Sequence, residues 1–360
     1  MVERKTKVLI VGGYGSVGRK ISLILASEFP GEVVAAGRNY DRAMTLAIEC
    51  DNKIIPLELD INFIADTDSL LKNIALVIVC VEQKNTKFVR QCIQRGIDYI
   101  DISASYQFLA QVEELDAIAK YNNSTVVLSV GLAPGLTNLL ASYGKQAHPD
   151  VKCVDIFILL GLGEVHGKDA ILWTIENFNA SFSDVNPNSY SRSGSFVKGK
   201  QTVFPQLGTR TAYRFNFPEQ FILPATLNLE SAASWLCFDS PLITNGISFL
   251  KKIGLLNILK VQLIQKLLIA ILRNLHFGSD CFIVQADLKN SSGGIYRYSI
   301  AGYGEAGATS IVAAETAKRL LQSSFSSGVF HIEQLFQSSE LIQAICEQDS
   351  RLTLISHGSK

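Results

Sequence analysis

The sequence predicts an α/β protein built on a doubly wound parallel sheet, with a second α/β domain carrying a mixed or antiparallel sheet. Three observations carry this prediction. Up to Val130, short apolar runs alternate with helix-period segments, as strands joined by crossover helices do. The first run, Val8–Val11, ends in a turn spelled Gly13-Tyr14-Gly15-Ser16-Val17-Gly18 and passes into a helical segment, Val17–Leu25. Beyond Val151 the alternation stops, and β-like runs of mixed polarity take over.

The elements follow in order. Glu32–Ala36 is an apolar strand, Ala43–Cys50 a helix, and Ile54–Leu59 a strand ending at Asp60. Asp66–Lys72 is a short helix, the β-branched run Ala75–Val81 a buried strand, and Thr86–Arg95 a helix. Tyr99–Ile102 is a strand, Val112–Tyr121 a helix and Val126–Val130 a strand. In sheets of this kind ligands bind beyond the carboxyl ends of the strands, which singles out Gly37–Asn39, Asp60–Ile61, Val81–Gln83, Asp101–Ser103 and Gly131–Asn138. In the last stretch Pro134 and Gly135 force a turn, and Thr137 can cap the next helix.

The glycine turn suits a dinucleotide. Gly13 permits the tight turn, Gly15 lets the backbone approach a pyrophosphate, and Gly18 lets helix and strand pack closely. N–H groups at the helix start then face the phosphate charge. An NAD site places an acid after the second strand, for the ribose 2′-hydroxyl. Here Arg38-Asn39 stands at that point, and a guanidinium suits a 2′-phosphate. The expected cofactor is NADP(H), with Asp60, Ile61, Val81 and Ser103 as further contacts.

Composition excludes other classes. Hydrophobic residues make up 48% and charged residues 18%, which describes a well-buried globular chain. Lys+Arg and Asp+Glu both number 33, so no broad basic field serves nucleic acid. The seven cysteines are scattered without a Cys-x-x-Cys pair and read as reduced thiols, and the five histidines form no ligand cluster. A cytoplasmic protein without a metal is expected. The charged Met1–Lys7 runs into the first strand and leaves no room for a signal peptide.

In the second half, Val154–Leu160 is β-like, Gly167–Phe182 helical, and 183–203 a polar loop or flap. Strands follow at Thr211–Phe217, Phe282–Leu288 and Gly294–Ala301, and an Ala-rich helix, Gly307–Leu321, packs back on the first domain. Ile253–Leu272 reads as one helix, with Lys260 and Lys266 on the same broad side as Lys252 and Arg273, and Ile258, Val261, Ile264, Leu268 and Leu272 opposite. Two central lysines argue against a spanning helix. The favoured reading is a helix in a core or dimer interface; the second is an interfacial helix resting on lipid.

Several stretches together resemble the saccharopine dehydrogenase family, in its saccharopine-reductase-like, NADP-binding branch. They are Gly12–Gly18, Cys92–Asp101, Gly131–Gly135, Gly161-Leu-Gly-Glu-Val-His-Gly167, Ala308–Ala314 and Gly328–Glu333. The resemblance implies a Rossmann domain of residues 1–133 completed by about 304–360, with a substrate and dimerisation domain, 134–303, inserted. It also implies a homodimer that uses NADP(H) to make or break a secondary amine joining an amino acid, or a polyamine, to a carbonyl compound. Gly13, Gly15, Gly18, Arg38 and the Pro134–Gly135 turn carry over as cofactor contacts. Ala133 stands where the lysine-pathway reductases tend to carry an acid, and Glu82-Gln83 replaces a Gly-Pro turn, so saccharopine itself is not the implied substrate.

Imine reduction needs a hydride at carbon and a proton at nitrogen. Glu164 and His166, with Lys168 just beyond, are the catalytic candidates; helix capping is their structural alternative. Arg210 and Arg214, on one strand face by period two, suit a substrate carboxylate, and Asp101 is a further substrate-side candidate. No tyrosine has a lysine four residues later, which excludes a short-chain dehydrogenase. The rival to an enzyme is a non-catalytic NADP(H)-binding protein that docks a membrane or partner through 253–272.

Overall fold

The structure is a computed structural model describing residues 5–63, 67–164, 168–183, 192–274 and 278–357. The chain forms two compact units. The first comprises residues 1–131 and 309–336, the second 132–308 and 337–360.

The first unit holds the strands β1 (Lys7–Val11), β2 (Val33–Gly37), β3 (Ile54–Glu58), β4 (Ile74–Val79), β5 (Asp98–Asp101) and β6 (Thr125–Leu128). With Gly328–His331 they make a seven-stranded sheet, every pair parallel, in the order Gly328–His331, β6, β5, β4, β1, β2, β3. This is the predicted doubly wound sheet. Its order reverses between β1 and β4, where such sheets open a crevice for a ligand. The continuous apolar runs are explained by burial on both faces: Val8, Leu9, Ile10, Val77 and Ile78 have no exposed surface.

The helix after β1 spans Ser16–Glu28 and buries Gly18, Ile21, Ser22 and Leu25, one stripe at helical spacing. The next, Tyr40–Glu49, starts earlier than predicted because Asn39 Oδ1 accepts from Arg42 N at 2.9 Å and caps it. The helix expected over Val112–Tyr121 is two, Tyr106–Glu113 and Asp116–Tyr121, interrupted at Glu114–Leu115.

The second unit holds another seven-stranded sheet. Its order is Gly199–Phe204, Gly208–Arg214, Ser231–Phe238, Val151–Leu160, Cys281–Asn290, Ile295–Tyr303, Thr353–His357. Only Ser231–Phe238 and Val151–Leu160 pair in parallel, so this sheet is mixed, as predicted. Its last strand explains why 337–360 belong here: Thr353–His357 pairs with Ile295–Tyr303. One face packs Phe157, Leu159, Phe204, Ala212, Trp235 and Ile283 into a core.

Two expectations for this half fail. Residues 183–203 are not simply a loop: 184–191 lie outside the described residues, but Gly199–Phe204 pairs with Gly208–Arg214 around a turn at Gly208 (φ +71°). Nor is Ile253–Leu272 one helix. A helix, Pro241–Lys252, ends before Gly254, whose φ of +78° breaks it; a 3₁₀ segment, Leu255–Lys260, and a helix, Gln262–Asn274, follow. Ile258 and Val261 face solvent while Ile269 is buried, so the predicted apolar seam does not hold, and the segment is not wholly a core helix.

Candidate functional site

The glycine turn follows β1 at the switch point. Gly12 takes φ +78° and lies against Cys80 and Val81, just past β4. A Cβ on Gly13 would stand 2.8 Å from both Ala35 Cα and Ile10 O, and on Gly18 2.2 Å from Gly12 O, so no side chain fits at either. Gly15 differs: a Cβ there meets only Gly12 O, at 3.1 Å, which leaves its other side open. The residues present therefore fit a pyrophosphate approaching at Gly15. Gly15 is also the N-cap residue and brings no side chain to the first-turn N–H groups of Ser16 and Val17.

Tyr14 turns back over the end of β2. A Cβ on Gly37 would fall 2.5 Å from its hydroxyl, and that hydroxyl accepts from Asn39 N at 2.8 Å. Arg42 lays its guanidinium 4.8 Å from the Tyr14 ring centroid. Arg38 and Arg42 are both exposed, one just before and one within the first turn of the Asn39-capped helix. Sequence reading missed Arg42; the signal was its place one turn beyond Arg38.

The other strand ends of this unit hold the remaining predicted contacts. Asp60 Oδ1 accepts from Asn62 N and Nδ2, both at 2.9 Å, and these bonds, aided by Arg38, hold the carboxyl below its ordinary range. Ile61, Asn62, Gln83, Lys84, Asn85 and Lys87 line an open cleft. Asp101 is buried at the end of β5. Its Oδ2 accepts from Tyr99 Oη at 2.8 Å and Gln83 Nε2 at 2.9 Å, and its Oδ1 from Ser103 N at 2.7 Å. Desolvation outweighs these bonds and pushes its pKa up to about 7. Gln83 thus fixes a buried carboxyl, and Ser103 spends its N–H on the same group.

The second unit places the other candidates apart. Pro134 and Gly135 are buried in a turn before the helix Thr137–Ala147, and Gly135 takes φ +139°, open to glycine alone. Asn138, rather than Thr137, accepts the turn's N–H, from Gly135 N at 3.1 Å. Glu164 accepts from Glu305 N and, at 3.0 Å, from Ala306 N, and so caps the helix Glu305–Gln322. His166 and the Lys168 side chain lie outside the described residues, although Lys168 opens the helix Lys168–Phe178. The catalytic trio is thus not seen assembled.

Arg214 is 3% exposed, donates to Ser234 O at 3.2 Å, and lies 5.2 Å from the Phe182 ring and 5.4 Å from Trp235. It is a core residue. Arg210 is half-buried and donates to Thr209 O at 3.0 Å. Two features went unseen in the sequence. Glu305 is half-buried with its Oε1 shielded from solvent, and desolvation together with Glu164 holds it well above the usual carboxyl range. Asp155, on the central strand, accepts from Lys200 at 2.5 Å, from Lys289, and from Trp235 Nε1 at 2.8 Å. Burial opposes its charge, but Lys289 and Lys200 prevail and its pKa is lowered. These partners are remote in sequence, so no local signal marked them.

Residues 8–127 match the family described as the saccharopine dehydrogenase NADP binding domain. Over these residues the chain is similar to a saccharopine dehydrogenase-type NADP-binding domain. The glycine turn, Arg38, Asp60, Val81 and Asp101 all lie within it. The NADP-binding domain accounts for the switch-point cradle, and a nicotinamide dinucleotide is its ligand class. Across the whole chain, the apo saccharopine dehydrogenase (L-Glu forming) of Saccharomyces cerevisiae is similar in fold: 14% identity, 98% of this chain and 100% of that one covered, TM-score 0.63. A probable dehydrogenase from Thermotoga maritima covers 97% and 98% at 10% identity, TM-score 0.45. No curated protein matches the chain.

Proposed function

We propose that this protein is an NADP(H)-dependent oxidoreductase acting on a C–N bond, that of an imine or secondary amine built from an amino acid or a polyamine. One observation supports NADP(H) over NAD(H) most directly: Arg38 and Arg42 flank the Asn39-capped helix start, and the residues directly after β2 are Arg38 and Asn39, the nearest acid being Asp41 in the first turn of that helix. Two guanidiniums there attract a 2′-phosphate, which an acid would repel. Bound, the nicotinamide supplies or accepts the hydride.

The chain's own residues have separable tasks. Gly13 and Gly18 let the turn and helix pack closely on the strands, Gly15 leaves room for the pyrophosphate, and Ser16 and Val17 present N–H groups to it. Asp60, Ile61, Val81 and Ser103, at the other strand ends, are the further cofactor contacts. Pro134 and Gly135 set the start of a second helix. His166, Lys168 and the half-buried acid Glu305 are the proton-handling candidates, and Glu164, which caps a helix, leaves that set. Arg210 remains a candidate for a substrate carboxylate; Arg214, fixed in the core, does not. A homodimer is part of this proposal, carried over from the family.

The test is titration of the full chain with NADPH and NADH, followed by cofactor fluorescence. NADPH binds more tightly, and Arg38→Ala with Arg42→Ala closes the gap by roughly tenfold or more, as loss of charge-assisted bonds implies. Equal affinities in the native chain would overturn the assignment. NADPH oxidation is then followed with keto acids or aldehydes mixed with amino acids or polyamines; no turnover across the panel favours a non-catalytic cofactor-binding protein.

A further inference from the structure

The helix Pro241–Lys252 in the second unit is inside out. The residues it buries are Thr244 and Ser248. Thr244 Oγ1 accepts from Phe238 N at 2.9 Å and donates to Ser240 O at 3.0 Å, and Ser248 Oγ donates to Phe196 O at 3.0 Å. Its outer stripe is apolar: Leu242, Phe249 and Ile253, spaced to share one side, are 87%, 62% and 58% exposed. The 3₁₀ segment continues the patch, with Leu255, Ile258 and Val261 all exposed. A helix that hydrogen-bonds inward and turns its large apolar residues outward reverses the ordinary burial order, and such a patch marks an interaction surface.

The charge around the patch indicates its partner. Residues 241–274 carry Lys251, Lys252, Lys260, Lys266 and Arg273 and not one Asp or Glu, in a chain whose overall net charge is zero. Lys251 is partly used within the unit, donating to Phe178 O at 2.7 Å, while Lys252 and Lys266 are exposed. A second copy paired through this patch would set the same cations against each other with no acid in the segment to answer them, because a two-fold interface matches a surface with itself. An anionic bilayer surface takes both features, the apolar side chains into the headgroup boundary and the cations onto its phosphates. Among the described residues no helix is long and apolar enough to cross a membrane.

We propose that the 241–274 face docks the protein on anionic lipid surfaces as a peripheral, reversible contact. The test is co-sedimentation of the full chain with vesicles of phosphatidylcholine, with and without phosphatidylglycerol. Mixed vesicles bind the native chain and salt weakens binding. Phe249→Asp with Ile253→Asp abolishes it. Lys252→Gln and Lys266→Gln weaken it roughly fivefold each on mixed vesicles. Near-UV circular dichroism and thermal unfolding stay native in these exposed-site variants, which separates this result from any failure of the cofactor assignment. No sedimentation with mixed vesicles would overturn the proposal, as would binding that survives the double aspartate variant. A dimer in light scattering that this variant dissociates, without lipid binding by the native chain, would assign the face to a second copy.

Discussion

At the scale of single residues, the cofactor cradle and the buried carboxyl beside it make separate predictions. Gly18→Ala puts a Cβ 2.2 Å from Gly12 O, a backbone atom that cannot swing away. The helix must shift off β1, at a cost of about 1–3 kcal/mol for forced overpacking. The melting temperature falls, and NADPH affinity falls with it, because the shift displaces the N–H groups at the helix start. Asp101 is legible through pH. Its folded pKa of about 7 lies above the unfolded carboxyl value of about 4, so between these the unfolded chain has released a proton that the folded chain keeps. Stability from this site therefore falls as pH rises from about 4 to about 7 and levels off above. Asp101→Asn removes the slope, so chemical-denaturation midpoints of variant against native chain diverge in the variant's favour across that window. A constant difference would show that Asp101 does not titrate there. Arg42 shows what single residues concealed: nothing marks an arginine as stacked on Tyr14 until the helix after β2 is seen to start at Tyr40.

At the scale of elements, Glu164 separates capping from catalysis. Its carboxylate accepts from Glu305 N and Ala306 N at the start of a long helix, a charge-assisted cap favoured by the helix dipole. Glu164→Ala is expected to cost about 1–2 kcal/mol, seen in the denaturation midpoint, and Glu164→Gln less, since an amide oxygen still accepts. A rate loss in Glu164→Gln with stability intact would restore Glu164 to the chemistry. Elements also show which parts of the fold the sequence disclosed. The strands of the parallel sheet are buried on both faces, so unbroken apolar runs such as Ala75–Val81 announced them. Gly199–Phe204 was obscured because its burial alternates, with exposed Gln201 and Val203 beside buried Thr202 and Phe204, and its residues resemble a polar loop. The interruption at Gly254 was hidden by the opposite effect: apolar residues on both sides invite one long helix, and only the backbone shows glycine in a left-handed conformation there.

At the scale of the whole molecule, the two units carry opposite pH signatures. In the first unit, burial raises Asp98 to about 6 and Asp101 to about 7, so acidification relieves the cost of two desolvated carboxylates. In the second, Asp155 is held ionised by Lys289 and Lys200, and its folded pKa lies below the unfolded value. That stabilisation is present above about pH 4 and is lost as pH falls through the folded pKa. Glu305 works in the same sense as the first-unit pair, but the Asp155 network joins four strands of the second sheet and its loss leaves two lysines without this carboxylate. The second unit is therefore expected to open first in acid. Both tryptophans, Trp173 and Trp235, belong to it, and Trp235 donates directly to Asp155. Lowering pH should shift tryptophan emission before amide exchange accelerates in β4 and β5. Asp155→Asn carries the control: it destabilises the second unit at neutral pH, and its difference from the native chain shrinks as pH falls, because protonation gives the native chain the same neutral group. If β4 and β5 lose protection first, the two units are not balanced against each other by these carboxyls, and the Asp155 network is not what limits the second unit in acid.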